Sequence, residues 1–236
     1  MAIALAEAGA HVVVMARSWD QIEGTANEIR AVGRRSLPLL VDISRTDQIQ
    51  SSVDQSLQTF GQIDILVNNA GIALVKPLVP MPGFDEGVTH SDLYRVLETN
   101  LIGPFFLTQA VGKHFMERGG GKVINVTSVT AIRAGSYQTT YAASKAAVLQ
   151  FTKALANEWA RSNINVNAIA PGAFHTEMSK KVYEDEKLLK QMHARIPMHR
   201  SGKMEEIGPT VVFLASEASN YITGSVIYVD GGYMIY

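Results

Sequence analysis

Short apolar runs of strand length alternate along this chain with longer segments in which apolar residues recur at helical spacing. The run 10–15 is rich in valine and predicts a strand, whereas Ile22, Ala26 and Ile29 repeat at helical spacing and predict a helix. The predicted strands are residues 10–15, 36–41, 63–67, 122–126, 164–169 and 225–229. The predicted helices are residues 19–32, 48–60, 91–115, 139–160, 179–194 and 204–215.

This alternation decides the fold class. Strands joined by helices need right-handed crossovers, which give a parallel sheet covered by helices on both faces. The nearly continuous Val and Ile content of the strands agrees, because strands of a parallel sheet are buried on both sides. We expect one doubly wound α/β domain over residues 1–236, with ligands bound beyond the carboxyl ends of the strands.

Composition narrows the class of protein. The 21 basic and 22 acidic residues leave a net charge of -1, so no field of one sign would attract nucleic acid or an anionic membrane. The absence of Cys excludes disulfides, thiolate zinc sites and cysteine nucleophiles, and it fits a reducing compartment. None of the six His residues has metal-ligand spacing. We therefore expect a cytoplasmic protein without a metal site that binds neither nucleic acid nor membrane.

Candidate chemistry follows two of the strands. Asn68-Asn69-Ala70-Gly71 comes after the third strand, where small residues would let the backbone approach a flat ligand, although they suit a simple turn equally well. Ser128 follows the fourth strand. Thirteen residues later, Tyr141 and Lys145 share one face of a predicted helix. An ammonium near a phenol favours the phenolate and would make it a usable acid or base, but such a pair also occurs by chance on exposed helices.

Taken together, these residues carry a resemblance. Ser128, Tyr141 and Lys145, with the Asn68–Gly71 motif and Asn100 before them and Pro171-Gly172 after them, resemble the short-chain dehydrogenase/reductase family. The resemblance runs from residue 1 to Asp230-Gly231-Gly232. It implies a Rossmann-type fold and a hydride transfer between a nicotinamide cofactor and an alcohol or carbonyl substrate.

The resemblance also implies a role for each catalytic position. Tyr141 would be the general acid and base on the substrate oxygen, and Ser128 would hold the carbonyl. Lys145 would bind the nicotinamide ribose and lower the pKa of Tyr141. Asn100, on the long predicted helix, would support a water path to Lys145.

Further positions would contact the cofactor by the same resemblance. Asp42 and Ile43 would flank the adenine. The adenosine ribose would be lined by Asn69, Ala70 and Gly71, and the nicotinamide end by Pro171, Gly172 and Thr176.

The end of the first predicted strand bears on cofactor choice. A carboxylate there suits the ribose hydroxyls of NAD, whereas a basic residue suits the 2′-phosphate of NADP. The chain has Arg17 and Ser18 at this place and no carboxylate. We expect NADP as cofactor, with NAD as the alternative if Arg17 is a solvated residue at the strand end.

The chain departs from the family pattern at its start. The family's first strand and its Gly-rich turn have no counterpart, and Met1 to Gly9 resembles the later part of the helix that follows them. We expect that this leaves two strand edges unpaired in the middle of the sheet and that the natural start lies upstream of Met1. The alternative is a catalytically silent binding or interaction protein on the same scaffold.

The substrate region is predicted after Pro171-Gly172. Residues 173–200 would form a substrate lid whose basic side chains suit an acidic substrate such as a sugar acid, or are merely solvated. The segment 72–90 would form one side of the same substrate pocket. The chain is most similar to family members of the gluconate 5-dehydrogenase type and to 3-oxoacyl carrier-protein reductases. The family commonly forms homotetramers, so we expect a homotetramer acting on a small molecule.

Overall fold

The computed structural model describes residues 1–235, without the side chain of Lys181, so Tyr236 of the predicted domain lies outside the described residues. The strands are β1 (Val12–Ala16), β2 (Ser36–Leu40), β3 (Ile65–Asn68), β4 (Gly121–Val126), β5 (Ile164–Pro171) and β6 (Val226–Val229). The helices are α1 (Ala2–Glu7), α2 (Trp19–Ala31), α3 (Thr46–Phe60), α4 (His90–Leu97), α5 (Gly103–Arg118), α6 (Thr139–Trp159), α7 (Lys180–Tyr183), α8 (Glu186–Ala194) and α9 (Gly208–Ala215). The predicted α/β fold is confirmed.

The strands form two parallel sheets rather than one. β1 pairs with β2, and the second sheet has the order β3-β4-β5-β6. Among the described residues no strand pairs with the free edges of β1 and β3. The expectation of two unpaired edges is therefore confirmed. A cleft of about 750 Å³ lies there, lined by apolar side chains that include Val13, Met15 and Val67.

Helices cover both faces of the larger sheet. On one face, Val53 of α3, Phe115 of α5 and Trp159 of α6 share one hydrophobic core with Val123 of β4. On the other face, α1 and α9 pack against Ile124, the next residue along the same strand. Successive residues of β4 thus enter opposite cores, as the pleat of a strand requires.

The predicted long helix over residues 91–115 contains a π-helical turn. α4 ends at Leu97, and Glu98–Ile102 forms a π-helical turn before α5 begins at Gly103. Pro104 lies at the start of α5 and has no N–H, so it cannot bond to the carbonyl of Asn100 four residues earlier. The chain stays helical from His90 to Arg118, so the predicted helix is confirmed, but it contains a π-helical turn in which Asn100 lies.

Each of two other predicted helices forms two separate elements in the structure. Residues 179–194 form α7 and α8, because the Asp185 side chain accepts hydrogen bonds from Lys187 N and Leu188 N and so caps a new helix. Residues 204–215 form a short 3₁₀ turn, Met204–Glu206, followed by α9. Pro209 lies in the first turn of α9, where a missing N–H costs nothing.

Gly103 lets the start of α5 approach the backbone of Ile43 just after β2, because a Cβ at this position would clash with the Ile43 carbonyl oxygen. We expect Gly103→Ala to lower the free energy of unfolding by roughly 1–3 kcal/mol through this overlap. Gly24, inside α2, is the matched control, because a Cβ there meets open space. Gly24→Ala should raise the free energy of unfolding by roughly 0.5–1 kcal/mol. Urea unfolding of both variants checks this, and equal effects would contradict it.

Candidate active site

Ser128 lies directly after β4 and is nearly buried. Its Oγ accepts a hydrogen bond from the backbone N–H of Thr130 at 3.2 Å. Since an oxygen lone pair is used in this way, the hydroxyl hydrogen is left to be donated to another oxygen. The neighbouring Thr127 fixes the strand end to α6, because its Oγ1 donates to the Lys145 carbonyl oxygen at 2.8 Å.

Tyr141 and Lys145 occupy the first turns of α6 and face the end of β4. The Ser128 hydroxyl lies near enough to the phenol of Tyr141 to influence its pKa. Lys145 is 4% exposed, its Nζ donates to the Val126 carbonyl oxygen at 2.8 Å, and it lies 5.9 Å from the centre of the Tyr141 ring. The structure therefore brings these three side chains together.

Burial sets the protonation of this group. It lowers the pKa of Lys145 to about 8, because the charged amine loses its hydration. It raises the pKa of Tyr141, and the nearby Ser128 hydroxyl offsets only part of this effect. The expected lowering of the Tyr141 pKa by Lys145 is not seen. The ammonium is directed to the Val126 carbonyl rather than to the phenol oxygen, so the loss of hydration of the phenolate prevails.

Asn100 is fully buried, and its side chain both accepts a hydrogen bond from the backbone of Ile72 and donates one to it. Its Oδ1 accepts from Ile72 N at 2.8 Å and its Nδ2 donates to Ile72 O at 2.9 Å. A Cβ at Gly71 would lie 3.2 Å from Lys145 Nζ and 3.4 Å from Asn100 Oδ1. Glycine at this position therefore allows the chain after β3 to run against both polar groups.

The residues expected around the adenosine lie together along the cleft. Burial acts to raise the pKa of Asp42, but hydrogen bonds from Ser44 and the nearby charges of Arg17 and Arg45 outweigh it and lower this pKa. No hydrogen bond or ion pair within residues 1–235 engages the exposed Arg17 guanidinium. The cleft is lined by Arg17, Asp42, Ile43, Asn69, Ala70 and Gly71.

The other expected cofactor residues lie outside this cleft. Ser18 precedes α2 as its N-cap residue. Pro171 ends β5, and Gly172 packs so tightly that a Cβ there would lie 2.8 Å from the Asp230 Cα. Thr176 precedes a 3₁₀ turn, where its backbone N–H bonds to Ser179 Oγ at 2.9 Å.

These residues suit the ribose and adenosine parts of a nicotinamide dinucleotide but not its pyrophosphate. The ammonium of Lys145 has three N–H donors, and within the described part of the chain only the Val126 carbonyl accepts one of them, so donors are left for ribose hydroxyls. The adenosine side has the charged and small residues that line the cleft. For the pyrophosphate, residues 1–235 hold no glycine-rich turn that borders the cleft.

Several polar residues of the site carry no recognisable sequence signal. Ser144 lies beside Lys145 with a fully buried hydroxyl. Ser201, directly after the expected lid, accepts from Tyr183 OH at 2.7 Å and bonds to His193 Nε2 at 2.9 Å, both within the lid. Thr130 Oγ1 is the one buried side-chain oxygen of the described residues without a partner. Serine and threonine are common on any surface, so only the folded structure distinguishes these three.

Two broader features complete the description. In the part of the chain that the structure describes, no three His, Asp or Glu side chains group as a metal site would. Nor is any helix there both long and apolar enough to cross a membrane.

The shifted pKa of Lys145 makes the free energy of unfolding depend on pH. Between about pH 8 and the ordinary value of 10.5, the unfolded chain keeps a proton that the folded chain has lost, so stability rises with pH. From about pH 7 to about pH 9.5 we expect the wild type to gain roughly 2 kcal/mol relative to Lys145→Met. Lys153→Met, an exposed position of the same helix, is the control and should keep a constant difference from the wild type. A constant difference for Lys145→Met as well would show that Lys145 is charged throughout.

Comparisons with known proteins agree over nearly the whole chain. A family model described as enoyl-(acyl carrier protein) reductase matches residues 1–234. The 2-dehydro-3-deoxy-D-gluconate 5-dehydrogenase of Escherichia coli is 38% identical over 99% of this chain and 89% of its own length. The 3-oxoacyl-acyl-carrier-protein reductase of Thermotoga maritima is 39% identical over 98% of this chain and 90% of its own length.

A solved structure gives the same answer. A gluconate 5-dehydrogenase from Burkholderia cenocepacia in complex with NADP and tartrate is 35% identical and superposes with a TM-score of 0.91, covering 100% of this chain and 89% of that one. These matches confirm the resemblance found from Ser128, Tyr141 and Lys145. The chain belongs to the short-chain dehydrogenase/reductase family of NAD(P)-dependent oxidoreductases.

Proposed function

We propose that this protein is an NADP-linked dehydrogenase that interconverts a secondary alcohol and a ketone on a small sugar acid. The observation that carries the proposal is the convergence of Ser128, Tyr141 and Lys145 at the end of β4, next to Gly71, which lines the cleft. When bound, the nicotinamide supplies or accepts the hydride.

The side chains of this group handle the proton. Because burial raises the pKa of Tyr141, its phenol stays protonated at neutral pH and is ready to donate to the oxygen of a ketone being reduced. Ser128 donates its free hydroxyl hydrogen to the same oxygen and orients it. Lys145, held by the Val126 carbonyl, keeps N–H donors for the ribose hydroxyls of the nicotinamide. In the oxidation of an alcohol these steps run in reverse.

Arg17 is the basis for choosing NADP. Its exposed guanidinium lies on the cleft at the end of β1, where the adenosine ribose would lie. A guanidinium binds phosphate oxygens through two parallel hydrogen bonds, which the ribose hydroxyls of NAD cannot use as well. Asp42, the nearest carboxylate, is already bonded to Ser44 N and Oγ, so it is less available to a ribose hydroxyl.

Basic residues of the lid, which we assign to residues 173–200 of a single domain, favour an acidic substrate. Arg200 pairs with both carboxylate oxygens of Glu206 at 2.7 Å, so its charge is already compensated. Arg195 and His175 are exposed in the same lid and have no such partner within residues 1–235. The two gluconate-type relatives act on sugar acids by name, which supports this class.

A 3-oxoacyl substrate is the second candidate, and the segment 72–90 favours it. This segment packs on Tyr137, four residues before Tyr141, through the ring of Phe84 and a bond from Lys76 N to Tyr137 O. It exposes Leu78 by 65% and Val79 by 64%, an apolar surface that would suit an acyl chain.

An oligomeric state and a cellular location complete the proposal. We propose a homotetramer built through α5, α6 and the last strand. Phe105 and Phe106 on α5 are about 40% exposed, as side chains at such an interface would be in one isolated protomer. We propose the cytoplasm because the chain has no Cys.

Tyr141→Phe tests the enzymatic proposal. We expect kcat to fall by roughly 10²–10⁴, because the acid and base on the substrate oxygen is lost. The affinity for NADPH, followed by its fluorescence, should stay nearly unchanged. Tyr137→Phe is the matched control and should keep its turnover. Substantial turnover in Tyr141→Phe, or a wild type that reduces no ketone and binds no NADPH, would contradict the proposal.

Arg17→Asp tests the cofactor. The substitution replaces a phosphate ligand by a charge that repels phosphate and bonds to ribose hydroxyls. We expect the ratio of kcat/KM for NADPH to that for NADH to fall roughly 10- to 100-fold. Arg34→Asp, the same charge change before β2 and so at the opposite end of the sheet, should leave the ratio unchanged. An unchanged ratio in Arg17→Asp would show that Arg17 does not contact the 2′-phosphate.

A further inference from the structure

The hydroxyl of Ser144 joins two parts of the site that lie far apart in the sequence. Ser144 lies on α6 between Tyr141 and Lys145, and none of it is exposed. Its Oγ accepts a hydrogen bond from Asn100 Nδ2 at 2.9 Å and donates one to the Tyr141 carbonyl oxygen at 2.7 Å. One hydroxyl therefore links the π-helical turn of Asn100 to the turn of α6 that carries Tyr141.

Asn100 fixes the direction of these bonds. Its Oδ1 accepts from the Ile72 N–H, so Nδ2 is the end that faces Ser144. One Nδ2 hydrogen reaches the Ile72 carbonyl and the other reaches Ser144, which uses both donors. Because the Ser144 oxygen accepts there, its single hydrogen goes to Tyr141. The bonds run one way from Ile72 to Tyr141, and bonds in such a chain strengthen one another.

This tie bears directly on Lys145. The Asn100 carboxamide and the Lys145 ammonium both lie against Gly71, within 3.4 Å of a Cβ placed there. Lys145 follows Ser144 in the same helical turn, so the Ser144 hydroxyl sets where Asn100 lies relative to the ammonium. A shift of Asn100 away from α6 would open the space that keeps the ammonium in place.

We propose that Ser144 is a positioning residue, whose hydroxyl holds the Asn100 carboxamide in register with the turn of α6 that carries Tyr141 and Lys145. A hydroxyl is required because it accepts from an amide and donates to a carbonyl at once. The effect on turnover rests on the proposed function. The tie itself is a property of the folded chain without ligand.

Thr152 provides a matched control on the same helix. It is also fully buried, and its Oγ1 accepts from Asn125 Nδ2 at 2.9 Å and donates to the Val148 carbonyl oxygen at 2.8 Å. Both residues thus place a hydroxyl between an asparagine and a helix carbonyl. Asn125 belongs to β4, however, and does not contact Tyr141 or Lys145 by any hydrogen bond of the described residues.

Turnover gives the first measurement. We expect Ser144→Ala to lower kcat roughly five- to tenfold with little change in the KM for the cofactor. Thr152→Val should lose similar stability but keep kcat within about twofold. Combining Ser144→Ala with Asn100→Ala should cost little beyond Asn100→Ala alone, because both remove one tie. Additive losses, or equal kcat in Ser144→Ala and Thr152→Val, would overturn the proposal.

Hydrogen exchange gives a second measurement that needs no substrate. The Ile72 amide bonds to Asn100, so its exchange, followed by NMR, reports how firmly Asn100 is held. We expect it to be roughly five- to tenfold faster in Ser144→Ala and unchanged in Thr152→Val. If the wild type turns over no ketone, the proposed function fails, yet faster exchange would still support the tie. Unchanged exchange in Ser144→Ala overturns the positioning role whatever the activity.

Discussion

Burying the Lys145 ammonium at the end of β4 removes its hydration, and the one hydrogen bond to the Val126 carbonyl replaces only part of it. The loss of hydration that remains lowers the pKa of Lys145. The surrounding structure is organised around this group. Thr127 bonds to the Lys145 carbonyl, Gly71 leaves room beside the ammonium, and Tyr141 lies one helical turn away. A buried ammonium that keeps unused N–H donors is typical of a group that binds a ligand.

The helices join the two sheets in the absence of backbone bonds between β1 and β3. Leu5 of α1 packs with Val211 and Leu214 of α9, so α1 links the region of β1 to the face of the larger sheet. On the opposite face, Val53 of α3 packs with Val111 of α5. Apolar burial is non-directional, so these contacts hold the sheets without satisfying the free strand edges. The edges keep polar backbone groups facing the cleft, which Arg17 and Asp42 also line.

The sequence was informative where one local rule decides the structure. All six strands were predicted, because short runs rich in Val, Ile or Leu suit buried parallel strands. The helix 139–160 was predicted almost to the residue. The π-helical turn at Asn100 was not predicted, although Pro104 is a signal for it, because the apolar residues keep their helical spacing across the turn. The two-way bonds between Asn100 and Ile72 join residues 28 positions apart, which no local pattern reports.

The family motif identifies Tyr141 and Lys145 but not what holds them. Their environment depends on burial, which raises one pKa and lowers the other, and burial is a property of the assembled core. Two of the buried hydroxyls of the same helix, those of Ser144 and Thr152, are each bonded to an asparagine of another element. A buried amide without a partner is costly, so each of these bonds fixes α6 in one place. The bond of Ser144 lies in the turn that carries Tyr141 and Lys145, whereas the bond of Thr152 ties a later turn of the helix to Asn125 of β4, so only the first acts next to the catalytic side chains.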